Sequence, residues 1–282
     1  MCRLFFYMEG KEGPTAARVH TVKLFMEQTN RCNADCGYRK RTHGQKNHKD
    51  GYGFVWLKED GLNNGFNEGE WNHYDGEYKY YRSPKTYMED PKYPRLAKQI
   101  QKSPFIMGHL RNSSRGNDIT AENNQPFMNN KKHIFAHHGT IADFDTRVKK
   151  ILMREITLEN IASMGGTTDS ETLFYWIESV RDSMPPKSNL VSVFKEVVRR
   201  LNAHQIEYLV NLIYVDAELG QTAVLRATVN HRNRTISLWR NRGIGEWIIS
   251  TEPVSETQQI EIPDQTVSIL NMKTGTWRTY NL

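Results

Sequence analysis

Cysteine is scarce in this chain: three in 282 residues, at Cys2, Cys32 and Cys36. Three thiols cannot build a disulfide framework, and the expected compartment is reducing and cytoplasmic. Long apolar runs are missing too. None approaches the ~18 residues of a membrane-spanning helix. The N-terminus lacks a basic stretch leading into an apolar core, so no secretory signal is expected. Repeats, low-complexity tracts and linker-like segments are absent, which favours one domain over residues 2–282. Charge of a single sign is also missing: 38 Lys and Arg face 32 Asp and Glu, a net charge of +6. The one dense basic cluster is Arg39-Lys40-Arg41, with Lys46 and Lys49 nearby. No recognition motif accompanies it, so it reads as a solvated loop and no nucleic-acid partner is expected.

What remains is an ordinary globular composition, 38 % hydrophobic and 25 % charged. Residues 2–8 form an apolar strand that begins almost at the terminus. A helix is predicted over 15–28, a polar loop over 29–50, and strands over 51–57 and 78–82. Pro91 and Pro94 precede a helix near 95–102. Strands follow at 105–110 and 134–136, with a polar loop over 112–130 between them. Helices are predicted over 143–153, 170–182 and 189–202; in the last, Leu190, Phe194, Val197 and Leu201 share one face. Six strands close the chain, at 208–215, 223–229, 235–239, 247–250, 259–262 and 267–270. Strands, then helices, then strands point to layered α and β elements with mostly antiparallel pairing.

Four places can carry chemistry. Cys2 is small enough for the initiator Met to be removed, which would put a thiol and an α-amine on one residue. Their reference pKa values, about 8.5 and about 7.7–8.0, lie close together, so the amine can accept the thiol proton. The plainer reading is a small hydrophobe in the first strand. In Gly108-His109-Leu110-Arg111-Asn112-Ser113-Ser114 an apolar strand runs into an Arg, whose planar fork fits a carboxylate; a surface ion pair is the simpler alternative. Ile134 to Thr140 reads as a buried strand ending in a turn at His137-His138-Gly139, where backbone N–H groups can face an anion. Adjacent histidines point apart on a strand, so that pair does not suggest a metal. In Gly165-Gly166-Thr167-Thr168-Asp169-Ser170-Glu171, Thr168 and Glu171 fit a capping box. Asp169 adds a carboxylate able to hold an ammonium group.

Six segments occur in the order and rough spacing of one family. They are Met1-Cys2-Arg3-Leu4-Phe5, Asp50-Gly51-Tyr52-Gly53, Gly108-His109-Leu110-Arg111, Asn124-Gln125-Pro126-Phe127, Phe135-Ala136-His137-His138-Gly139 and Gly166-Thr167-Thr168-Asp169-Ser170-Glu171. The pattern resembles the class II glutamine amidotransferases, which are N-terminal nucleophile hydrolases. Ser250-Thr251-Glu252-Pro253 looks like a segment of the small stand-alone branch that acts on γ-glutamyl compounds. The resemblance spans about residues 2–270. It implies an α+β fold, a four-layer α/β/β/α sandwich with largely antiparallel sheets. It also implies an amidohydrolase acting on glutamine or a γ-glutamyl small molecule through a thioester. In that scheme Cys2 is the nucleophile. Gly139 and His138 serve the oxyanion, and Arg111 and Ser114 bind the substrate's α-carboxylate end. Asp169 binds its α-ammonium. No cofactor is implied. An amidotransferase would need a partner subunit to receive ammonia, whereas a hydrolase would need none.

Two positions depart from the pattern. His138 replaces the usual Asn before the oxyanion Gly, and Gln125 replaces a usual His. Asn donates a fixed N–H at any pH, whereas His donates only from the right tautomer or when protonated. A second function class follows from these departures: a catalytically impaired member acting as a binding or regulatory subunit. A third, a zinc module on Cys32, Cys36, His43 and His48, has too short a central gap for the usual finger. That segment reads as a polar loop, and no metal is expected.

Overall fold

The structure, a computed structural model, describes residues 2–9, 15–29, 48–58, 77–113, 118–230, 236–243, 246–254 and 259–282. The chain folds into two compact units, each assembled from separated segments. The first comprises Met1–Pro126, Ser237–Glu261 and Lys273–Gly275; the second comprises Phe127–Ile236, Ile262–Met272 and Thr276–Leu282.

The first unit is built on a seven-stranded sheet. Its strands are β1 (Arg3–Glu9), β2 (Tyr52–Leu57), β3 (Tyr78–Ser83), β4 (Phe105–Leu110), β9 (Trp239–Gly243), β10 (Glu246–Ser250) and β11 (Ile260–Glu261). Their order is β11-β9-β10-β1-β4-β2-β3, and every pairing is antiparallel. Helices α1 (Thr15–Glu27) and α2 (Tyr93–Ile100) send Val22, Phe25, Met26, Leu96 and Ile100 into a cluster with Phe5, Tyr7, Phe54 and Ile106 from the sheet. Phe5 and Phe25 stack with ring centroids 4.9 Å apart. Pro94 falls in the first turn of α2, where its missing N–H costs nothing. Residues on both faces of β1 are buried. That explains why its sequence is a continuous apolar run rather than an alternation.

The second unit has a six-stranded antiparallel sheet. It contains β5 (Phe127–Met128), β6 (His133–Ile141), β7 (Tyr208–Asp216), β8 (Gln221–Val229), β12 (Thr266–Asn271) and β13 (Thr276–Asn281), in the order β13-β12-β8-β7-β6-β5. A π-helical turn (Phe144–Val148) leads into α3 (Lys149–Glu155), followed by α4 (Leu158–Ala162), α5 (Asp169–Asp182) and α6 (Leu190–Ala203). One face of the sheet, with Phe135, Tyr208, Leu212 and Tyr214, packs on Leu152, Phe174, Trp176, Phe194 and Val197 of these helices. The α6 stripe read from the sequence is buried as expected. Asn189 caps that helix by accepting the Ser192 N–H at 2.9 Å.

Three local expectations need correction. The predicted turn at His137-His138-Gly139 is strand: β6 continues through Ile141, each residue paired with β7. The strand placed at 235–239 is found at Trp239–Gly243. β13 was not foreseen, because it is a mostly exposed edge strand with no buried alternation to read. Among the described residues no helix is long and apolar enough to cross a membrane.

Candidate active site

In the first unit, strand register sets the geometry. Arg3 pairs with Leu110 on β4, so one step further Cys2 comes level with Arg111. The sulfur sits on the backbone of the next residue. The Asn112 N–H donates to Cys2 Sγ at 3.4 Å, and the thiol donates to the Asn112 carbonyl at 3.6 Å. Arg3 then fixes the Cys2 backbone: its Nη1 donates to the Cys2 carbonyl at 3.1 Å, while Nη2 pairs with Glu252. Thr251 adds two ties, accepting the Leu4 N–H on Oγ1 at 3.1 Å and donating its own N–H to the Leu4 carbonyl at 3.2 Å. Ser250-Thr251-Glu252-Pro253 is therefore a clamp on the start of β1, a role the sequence alone did not suggest.

Arg111 is buried. Its Nη2 donates to Ser113 Oγ at 3.3 Å and to the Asp118 carbonyl at 2.9 Å. Its N–H reaches the Gly51 carbonyl at 2.9 Å. The Ser113 N–H donates to Asp50 Oδ2 at 2.7 Å. The Asp50-Gly51 segment thus holds the backbone of Arg111 and Ser113. The glycines of Asp50-Gly51-Tyr52-Gly53 have a steric reason. Gly51 has φ +120°, and a Cβ there would lie 2.2 Å from Asn124 Nδ2; a Cβ on Gly53 would lie 2.2 Å from the Gln125 carbonyl. No side chain fits where the Asn124-Gln125-Pro126 segment packs. Gln125 itself is buried, and its bond to Pro126 is cis.

In the second unit, β6 and the start of α5 carry the remaining predicted residues. His137 and His138 point to opposite faces of the sheet, as neighbours on a strand must. His137 faces α5, where its Nδ1 lies 3.0 Å from Ser170 Oγ. His138 faces the other way, is buried, and is level with Asn211 on β7. A Cβ on Gly139 would lie 1.8 Å from the Leu209 carbonyl oxygen and 2.6 Å from His137 Nε2. Glycine is therefore required for packing, whatever an oxyanion asks of its N–H. Thr168 caps α5 as foreseen, accepting the Glu171 N–H at 3.2 Å. Glu171 holds the Gly165 and Gly166 N–H groups at 2.9 and 2.7 Å. Asp169, half-buried, opens the helix, and Ser170 Oγ donates to its Oδ1 at 3.2 Å. Burial pushes the His137 imidazole below its ordinary pKa, against the opposing pull of Asp169 and the Leu209 carbonyl. Neither Ser170 nor His137 had a role in the sequence reading. The hydroxyl directly after Asp169 was the signal available.

Ser114, Cys32, Cys36 and His43 lie outside the described residues. His48 Nδ1 is 3.1 Å from the Gln28 carbonyl. Among the described residues no group of three or more His, Cys, Asp or Glu could hold a metal ion.

Comparisons with known proteins bear on the fold and the family. A glutamine aminotransferase class-II domain protein from Silicibacter pomeroyi is similar to the chain with a TM-score of 0.62 and 15 % identity, over 100 % of this chain and 99 % of the other. Glutamine phosphoribosylpyrophosphate amidotransferase from B. subtilis, complexed with ADP and GMP, gives a TM-score of 0.62 and 13 % identity, over 99 % of this chain and 49 % of that one. These likenesses show the fold, the α+β fold of N-terminal nucleophile hydrolases with antiparallel sheets. No curated protein sequence matches the chain. The sequence model of Glutamine amidotransferases class-II matches residues 24–219, more than half of the chain. The chain belongs to the class II glutamine amidotransferase family.

Proposed function

We propose that residues 2–282 act as one domain that hydrolyses the side-chain amide of glutamine or of a γ-glutamyl compound through Cys2. One observation carries this reading: strand register puts the Cys2 sulfur against Asn112, beside the buried Arg111. Loss of Met1 frees the Cys2 α-amine, which takes the thiol proton. The thiolate attacks the amide carbonyl carbon and forms a tetrahedral oxyanion, with Gly139 N–H and His138 as its donors. Collapse breaks the C–N bond. The leaving nitrogen takes the proton from the α-amine and departs as ammonia or an amine. The thioester left on Cys2 is then hydrolysed by water to glutamate and free thiol. Arg111 and Ser114 take the substrate α-carboxylate, and Asp169 takes the α-ammonium. A zwitterionic head group needs one cation and one anion placed away from the scissile bond. A partner subunit would be needed only to receive ammonia.

His138 supports a second reading, a weak or inactive member that serves as a binding or regulatory subunit. Loss of one oxyanion donor costs about 2.7–4 kcal/mol of barrier. A panel of glutamine and γ-glutamyl peptides, followed by glutamate release, decides between the two. Release that disappears in Cys2→Ala supports the hydrolase. No release from any member, alone or with a candidate partner chain, supports the regulatory subunit.

A further inference from the structure

Among the described residues the two sheets end in four edge strands, β11 and β3 in the first unit and β13 and β5 in the second. An edge strand leaves a row of backbone groups open to another chain, and proteins guard such edges by keeping them short or charged. β5 and β11 have two residues each. β3 has six, but it carries Lys79 and Arg82 and runs into Pro84. β13, Thr276-Trp277-Arg278-Thr279-Tyr280-Asn281, is as long, mostly exposed, and has one cation, no carboxylate and no proline. It is the unguarded edge of the four.

Hydrogen-bond phase fixes what β13 offers. The Leu282 N–H donates to the Gln265 carbonyl at 3.1 Å, one step beyond the Asn281–Thr266 pair. The backbone groups of Leu282 are thus directed at β12. By the alternation of an antiparallel ladder, so are those of Tyr280 and Arg278. The N–H and C=O of Thr279 and Asn281 point the other way, to the outer edge. Side chains alternate as well. Thr279 Oγ1 meets Ser268 Oγ at 2.8 Å and the Trp277 Nε1–H at 3.0 Å on one face. Arg278 and Tyr280, opposite Ile269 and Val267, stand on the face that carries the helices.

We propose that the outer edge of β13 docks the same edge of a second copy of this chain, antiparallel and centred on Thr279, joining two six-stranded sheets into one. A two-fold axis between antiparallel strands stands perpendicular to the sheet. Each face therefore continues into the same face of the partner, and only residues of one face pair. Centring on Arg278 sets two guanidinium groups opposite each other, and like charges so placed are destabilising. Centring on Tyr280 sets Arg278 opposite Leu282, with no aromatic ring for the charge. Centring on Thr279 lets that residue exchange both backbone hydrogen bonds with its own copy and puts Arg278 opposite Tyr280 twice. That pair falls at a non-hydrogen-bonded position, where Cα atoms are only about 4.5 Å apart. A guanidinium over a phenol ring is attractive. The contact is small: one six-residue strand buries less than the ~800 Å² per partner of a stable interface, so the dimer forms only at high concentration.

The test is sedimentation equilibrium of the full chain from about 1 µM to about 500 µM, with amide hydrogen exchange read by NMR at both ends of that range. The expected result is a monomer–dimer equilibrium. On dilution the Thr279 amide loses protection, while the Tyr280 amide, held by β12, keeps it. Tyr280→Lys sets two cations opposite each other and should weaken the dimer about tenfold; Tyr280→Glu sets a carboxylate opposite the guanidinium and should tighten it by about the same factor. Thr279→Pro removes an N–H that points outward and should abolish association. If that variant does not fold, the two Tyr280 variants decide, since each changes one exposed side chain. A monomer throughout, with the Thr279 amide open to exchange, overturns the proposal and leaves the edge to a strand of another protein. A dimer that Tyr280→Lys and Tyr280→Glu leave equally stable overturns it too.

Discussion

Arg3 and Glu252 form an ion pair in which both side chains are more than nine-tenths buried, at 8 % and 6 % exposure. The pair ties the first strand to a segment near the far end of the chain and holds the Cys2 carbonyl in place. Removing one partner of such a pair leaves a buried charge, so Glu252→Gln is expected to lower the unfolding free energy by about 3–5 kcal/mol. The double variant Arg3→Met, Glu252→Leu should recover most of that loss. Urea unfolding of the three proteins measures both; a single variant within about 1 kcal/mol of wild type would show that the pair is not a structural tie.

The purified protein should begin at Cys2. Intact mass spectrometry reads this directly. Cys2→Ser should lower kcat by several orders of magnitude, within the 10⁴–10⁶-fold scale typical of a deleted nucleophile, without moving the thermal midpoint by more than about 2 °C. Retained Met1 in a protein that still releases glutamate would exclude the α-amine as base.

Arg111→Gln should weaken transition-state binding by about 2–4 kcal/mol, roughly 30- to 1,000-fold in kcat/KM. The loss should be far smaller for a substrate analogue without an α-carboxylate. Equal losses on both substrates would assign Arg111 to holding Ser113 and Asp118, not to recognition.

A second buried network gives a pH prediction. His133 lies 2.7 Å from Glu178 and 3.5 Å from Asp216, and Arg181 also bonds Asp216. Burial opposes charge on His133, but hydrogen bonds to Asp216 and Glu178 outweigh it and raise its pKa. Burial likewise opposes the Asp216 charge, and the bonds from His133, Leu219 and Arg181 hold it down to about 2. The His133 contribution is therefore complete below its unfolded value of about 6.5 and fades as pH rises through the raised value. The Asp216 contribution is complete above its unfolded value of about 3.9 and fades as pH falls toward about 2. Stability from this network is greatest between about pH 4 and 6.5. Urea midpoints should decline on the alkaline side in wild type, and His133→Gln should flatten that decline.

Gly139→Ala should fail for steric reasons. Its Cβ would enter the Leu209 carbonyl at 1.8 Å, and overpacking of this kind costs about 1–3 kcal/mol or more. Denaturant unfolding of the variant checks the loss. A variant as stable as wild type would mean that β6 and β7 can separate locally at no cost.

How far the sequence could be read depended on where each pattern came from. Strand β1 was legible because burial on both faces leaves an apolar run, and α6 because one stripe is apolar. Thr168 announced the start of α5 through a local rule. The continuation of β6 through His137 and Gly139 was not legible. Polar residues and a glycine suggest a turn, and only the pairing with Leu212, Asn211 and Val210 of β7, far off in sequence, makes them strand. The bond between Cys2 and the Asn112 backbone was hidden for a similar reason, since register and not residue type creates it. The glycines of Asp50-Gly51-Tyr52-Gly53 marked the family, yet their reason, the close approach of Asn124 and Gln125, lies in packing.

Strand β1 finds one neighbour, β4, by residue 110, but its other neighbour, β10, begins only at residue 246. A ribosome adding ~5–20 residues per second takes roughly 7–28 seconds to cover that gap. Throughout it the nascent chain carries an apolar strand with one open edge, a template for pairing with another molecule. Soluble yield during expression is therefore expected to follow chaperone supply and translation speed more closely than the stability of the finished protein.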